Sequence, residues 1–170
     1  MKYRKLNKKG QTELSFGMIF SIIMIVGILS FGGYIIWKFT SFNECTESAN
    51  LIRTFQEDIN RIYYGSGGSY TPASGYSLSA GKKMICLIDT ESTARGENED
   101  LYDTIKAEAR KNFNLLFDPF TGTECGEYKI THIDLQKSTA ENNPLCFENK
   151  NGRVKITMIK NYGENLVTLS

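Results

Sequence analysis

The sequence predicts an α+β protein: an N-terminal transmembrane helix continuing into an amphipathic helix, followed by a small, mostly antiparallel β-sheet domain with one further helix. Three observations predict it. Leu14 to Trp37 is a run of 24 residues without a charge. Leu51, Ile52, Phe55, Ile59, Ile62 and Tyr63 then recur at spacings of three and four, the period of a one-sided helix. Beyond Gly65 that period gives way to short apolar or alternating segments separated by turn residues, which is how strands read. The implied organisation is a basic leader at residues 1–13, a membrane helix at 14–37, a juxtamembrane amphipathic helix at 38–64 and an α+β domain at 65–170.

The leader carries Lys2, Arg4, Lys5, Lys8 and Lys9 and no acid before Glu13. A helix of 24 residues crosses a hydrocarbon core of about 30 Å. A cleaved secretory signal has an apolar core of only about 7 to 15 residues and then a small-residue cleavage site. Here the run continues through Tyr34, Ile35, Ile36 and Trp37, so it reads as an anchor. The basic residues hold the N-terminus in the cytoplasm, and Tyr34 and Trp37 suit the far interface. The expected location is therefore the cell membrane, single-pass, with the C-terminal domain extracellular and the lipid bilayer as the first partner. Within the run, Gly17 and Ser21 are four apart, the small-xxx-small spacing that lets two membrane helices approach closely; glycine is also common in membrane helices generally, and the spacing offers one face for self-association.

Nothing between Trp37 and Leu51 is Pro or Gly, so the membrane helix runs on into the amphipathic one as a single rod or with a small hinge. "GSGGSYTPASG", from Gly65, stops it and reads as a flexible loop; without a following "GK[ST]" it is no phosphate loop. "KMICLID", Lys83 to Asp89, reads as a buried strand with a short partner in "GYSLS", and "DTESTARGENED" as an acidic surface loop whose spacing fits no EF-hand. Leu101, Ile105, Ala109, Phe113 and Leu116 mark a second helix, ended by Pro119. "EYKITHIDL" alternates as a strand covered on both faces, "PLCFENKNGRVKITMI" reads as a hairpin, and "ENLVTL" as the last strand. The sum is a sheet of four or five strands on one or two helices.

After the anchor 15 basic and 18 acidic residues remain, a net of −3, which gives no clustered basic face for nucleic acid. The four cysteines, Cys45, Cys86, Cys125 and Cys146, all fall on the exported side, which reads as up to two disulfides with three pairings open. Strand-like surroundings favour Cys86 with Cys146, leaving Cys45 to tether the anchor-proximal helix to the loop at Cys125. Zinc ligands come as closely spaced pairs, which these are not. A serine or cysteine hydrolase needs a base beside its nucleophile; the chain has one histidine, His132, set mid-strand, and no "GxSxG". About a hundred residues also leave little wall for a cleft in which paired carboxylates could act. The sequence points away from an enzyme and calls for no cofactor and no metal.

"KKGQTELSF" resembles the archaeal class III signal peptide of type IV pilins and related subunits. In that family a prepilin peptidase cuts a short basic leader after Gly or Ala on the cytoplasmic side and the apolar segment is kept. The resemblance implies cleavage between Gly10 and Gln11, a prepilin peptidase as partner, and a stem helix whose outer half packs on a β-sheet. The family places a glutamate fifth after the cut; here Glu13 is third and Ser15 is fifth. The whole chain is also similar to uncharacterised single-span archaeal surface proteins with the same "KKGQ" start and a late "NPLC" strand. The expectation is a pilin-like structural or adhesive subunit, the alternative a stand-alone anchored binding or accessory module that forms no filament.

Overall fold

The computed structural model describes residues 16–79, 81–109, 112–120 and 125–170. The chain divides into two units, Met1–Ser41 and Phe42–Ser170. Helical backbone extends over Phe16–Tyr64 (α1). In the first unit the segment Gly17–Phe39, 23 residues, is long and apolar enough to cross a membrane, and none of it is buried within the protein. Ile28, Leu29 and Ile36 are each more than 60% exposed, a surface that water does not tolerate in a contiguous stretch.

In the second unit the elements follow as β1 (Gly68–Tyr70), β2 (Tyr76–Ser77), β3 (Met84–Leu87), α2 (Tyr102–Glu108), β4 (Leu115–Phe117), β5 (Glu127–Tyr128), α3 (Leu135–Ser138), β6 (Leu145–Glu148), β7 (Arg153–Val154), β8 (Met158–Lys160) and β9 (Thr168–Leu169). They make three antiparallel sheets, in orders β5-β4-β3-β6, β1-β8-β9 and β2-β7. The α+β class holds, with the strands divided among sheets where one was expected.

The four-stranded sheet is covered on both faces, which is why β3 and β4 read as unbroken apolar runs. On one face Ile85, Leu87, Leu115, Phe117 and Phe147 join Leu51, Phe55 and Ile59 of α1 in the main core. On the other, Cys86 and Leu116 meet Tyr102 and Ile105 of α2. Phe55 and Ile59 have no exposure at all, and each such side chain contributes about 1.5–3 kcal/mol by burial. Both disulfides are present: Cys86 faces Cys146 across β3 and β6, with Cα atoms 4.0 Å apart, and Cys45 is bonded to Cys125.

Five expectations are corrected. The second helix stops at Glu108: Ala109 is extended and Asn112 has φ 83°, which turns the chain so that Leu115–Phe117 pair with β3. Phe113 and Leu116 therefore continue the helical spacing only by accident. The "EYKITHIDL" strand is two residues long; His132 has φ 66° and Asp134 caps α3 through a bond from the Lys137 N–H (2.9 Å). The "NKNG" hairpin closes as a tight turn with positive φ at Asn151 and Gly152, but its arms part after the Lys150–Arg153 bridge. β6 goes to β3, and β7 goes to β2, so "GYSLS" pairs with Arg153–Val154 and not with "KMICLID". Finally, part of the glycine-rich stretch is strand β1: Gly67 has φ 115° and a Cβ there would lie 3.0 Å from the Lys160 carbonyl oxygen, so only glycine lets the chain come alongside β8.

Candidate functional site

Small residues interrupt an otherwise bulky apolar helix at Gly17, Ser21, Gly27, Ser30, Gly32 and Gly33. At 3.6 residues per turn, Gly17, Ser21 and Gly32 project within about 60° of one another. The Ser21 hydroxyl donates to the Gly17 carbonyl oxygen (2.8 Å), which spends its polarity inside the helix and leaves a shallow apolar notch. A Cβ added at Gly27, Gly32 or Gly33 would meet nothing within 4 Å, so packing within the chain does not demand glycine there. The candidate cleavage residues Gly10 and Gln11, and the displaced acid Glu13, lie outside the described residues.

The single histidine stands where α1 ends. Its ring stacks on Tyr63 (centroids 3.9 Å, planes 14° apart), and Tyr64 meets it edge-on at 5.9 Å. Asn60 Oδ1 accepts from Gln56 Nε2 (2.9 Å) and lies 2.9 Å from His132 Nδ1, so Nδ1 is the donor in that contact. Gln56 also brackets Thr131, accepting from its N–H and donating to its carbonyl oxygen. The Lys160 ammonium lies 5.4 Å from the Tyr63 ring centre and donates to the Tyr63 and Gly65 carbonyl oxygens, satisfying the end of the helix. The ring's partners are thus an amide and two phenols. This is a device for fixing the end of α1 onto the loop before α3, and it supplies no nucleophile.

A second polar set holds the flank of the same helix. Tyr76 donates to Asp58 (2.7 Å), Arg61 pairs with Asp58 (2.8 Å), and the Arg61 guanidinium lies over the Tyr70 ring at 4.4 Å. Burial, and after it the bond to Asp58, pushes the Tyr76 phenol far above its ordinary range. Asn143 is fully buried and satisfied: it accepts from the Asp89 N–H (3.0 Å) and donates to the Asp89 and Thr93 carbonyl oxygens, pinning the acidic loop to the start of β6. Among the described residues no three His, Cys, Asp or Glu side chains gather as metal ligands. The cysteines Cys45, Cys125, Cys86 and Cys146 are all consumed in the two disulfides.

The chain matches no family model, no curated protein and no solved structure. The residues that sequence reasoning passed over are those of the open edge of β6, whose members run from Met84 to Lys155 and carry no local signature.

Proposed function

We propose that the protein is a single-pass membrane protein with a cytoplasmic N-terminus and an extracellular disulfide-bonded domain, serving as a pilin-like structural or adhesive subunit. The observation that carries this reading is the Gly17–Phe39 helix, apolar on every side and preceded by five basic residues without an acid before Glu13. The two disulfides support an oxidising compartment for the domain. Packing of the Leu51, Phe55 and Ile59 face on a sheet supports the stem-and-sheet likeness, and the notch at Gly17, Ser21 and Gly32 gives subunits a face on which helices could meet.

Mass spectrometry of the mature N-terminus tests it. A chain beginning at Gln11, with processing lost in Gly10→Leu, is the expected result; an intact Met1 sinks the pilin-like reading. One observation favours the second reading, a stand-alone anchored binding or accessory module: Glu13 stands third after the candidate cut, where it cannot take the fifth-position role of a pilin glutamate. Filaments released by gentle shearing of cells decide against that alternative.

A further inference from the structure

The hairpin between β6 and β7 closes at Lys150 and Arg153 with two backbone bonds, Lys150 N–H to Arg153 O at 2.8 Å and Arg153 N–H to Lys150 O at 3.2 Å, and then splays. β7 leaves to pair with β2, so β6 is the outer strand of its sheet with its natural hairpin partner drawn away. The register tells which groups this exposes. Asn149 N–H donates to the Lys83 carbonyl oxygen (2.8 Å), which makes Lys83–Asn149, Ile85–Phe147 and Leu87–Leu145 the inward-bonding pairs of the antiparallel ladder. The N–H and C=O groups of Cys146 and Glu148 therefore point away from β3. Among the described residues no hydrogen bond from outside the sheet reaches these four groups.

They open onto a groove of about 610 Å³ whose lining includes Met84, Cys146 and Phe147 together with the charged Glu97, Glu148, Arg153 and Lys155. Lys150, which also lines it, is already 3.6 Å from Glu148. That leaves Arg153 and Lys155, without an ion pair among the described residues, against the single carboxylate of Glu97. The groove is a strip of unpaired backbone with apolar side chains beside it and an excess of positive charge along its wall.

We infer that the β6 edge accepts an extended acidic peptide segment as an added strand. Main-chain pairing to Cys146 and Glu148 supplies the affinity, and acidic side chains facing Arg153 and Lys155 supply the preference. A second copy of β6 fits less well: antiparallel pairing about Phe147 would bring another Glu148 into a groove whose lining already includes Glu97 and Glu148. The inference does not depend on filament assembly, and a chain that keeps Met1 can still satisfy it.

The test uses the full chain in lipid nanodiscs, with amide exchange followed by NMR, and a capped pentapeptide alternating glutamate and valine as the probe. The expected result is saturable slowing of exchange at Cys146 and Glu148, while the lysine and valine counterpart has little effect. Glu148→Pro removes an outward N–H and leaves the bonds to β3 in place, so binding should fall by about ten-fold or more with Ile85 amide protection unchanged. If that variant also loses Ile85 protection, Lys155→Glu replaces it, and is expected to shift preference from the glutamate to the lysine peptide. The proposal is overturned if the glutamate peptide leaves both amides unchanged or if Glu148→Pro binds it equally well. It is also overturned if protection grows with protein concentration and no peptide, which would place a second copy in the groove.

Discussion

Two stretches of α1 have the same backbone and opposite surfaces. In Gly17–Phe39 the apolar side chains run all the way round and none is buried within the protein. From Leu51 to Tyr63 only one stripe is apolar, and its Leu51, Phe55 and Ile59 are wholly covered by the sheets, while Arg53, Glu57 and Asn60 stay on the remaining faces. Secondary structure is therefore indifferent to which solvent a helix meets; the angular spread of its apolar residues is not. An all-round apolar surface is satisfied by hydrocarbon, where every backbone group is already bonded within the helix, and a one-sided stripe is satisfied by a protein core.

Mutations at matched positions sharpen that contrast. Phe55→Ala removes a large ring from a fully buried site and should destabilise the Phe42–Ser170 unit by about 3–5 kcal/mol. Denaturant unfolding of the full chain in detergent would read this as a lower midpoint, with membrane association unchanged. Ile28→Arg, near the middle of the apolar segment, should do the reverse. A central arginine costs about 2.5–3.5 kcal/mol of insertion free energy, so the chain shifts to the soluble or degraded fraction while the domain's unfolding midpoint stays put. If each variant moved the other's readout, the two stretches would not be solvated as described. Next in size is Tyr76→Phe, which deletes the phenol's bond to Asp58 on the flank of the stem. A hydrogen bond to a charged group contributes about 1.5–3 kcal/mol, and Asp58 keeps Arg61, so the loss should fall at the low end of that range.

The same contrast explains what could be read in advance. Long periodic features were legible: the apolar run, the Leu51–Phe55–Ile59 stripe, and the buried "MICL" strand, with cysteines placed so that Cys86 could face Cys146. Short features were legible as strands but not in their extent or pairing. β2, β5, β7 and β9 each fall inside a stretch that reads as a strand, yet each is two residues long, too few to set a register, and their partners are chosen by topology. Leu115–Phe117 was hidden because Phe113 and Leu116 prolong the spacing of Leu101, Ile105 and Ala109, and the turn at Asn112 has no apolar signature. His132 sits in an alternating segment that bends at a positive φ, sustained by ring stacking on Tyr63 that only the folded chain provides. The β6 groove joins residues from four separate stretches, each of ordinary composition, so no window of sequence contains it.

The smallest expected effect concerns charge, which Gly17–Phe39 meets only at Lys38 and the Phe42–Ser170 unit carries across its surface. Glu164, in the turn between β8 and β9, takes hydrogen bonds from Lys137 of α3, from the Asn161 N–H and from the Asn161 amide. The Lys137 bond first, and the two from Asn161 after it, hold its carboxyl down at about 2 against an ordinary 4.5. Because the folded value is the lower one, the interaction's contribution is complete above the ordinary carboxylate range and is lost as pH falls toward 2. Both partners are substantially solvated, so salt should weaken it. Carboxyl NMR titration should give a midpoint near 2 for Glu164, rising toward the ordinary range in Lys137→Ala. A midpoint already ordinary in the unaltered chain would mean that water, and not Lys137, is the carboxylate's main partner at this end of the domain.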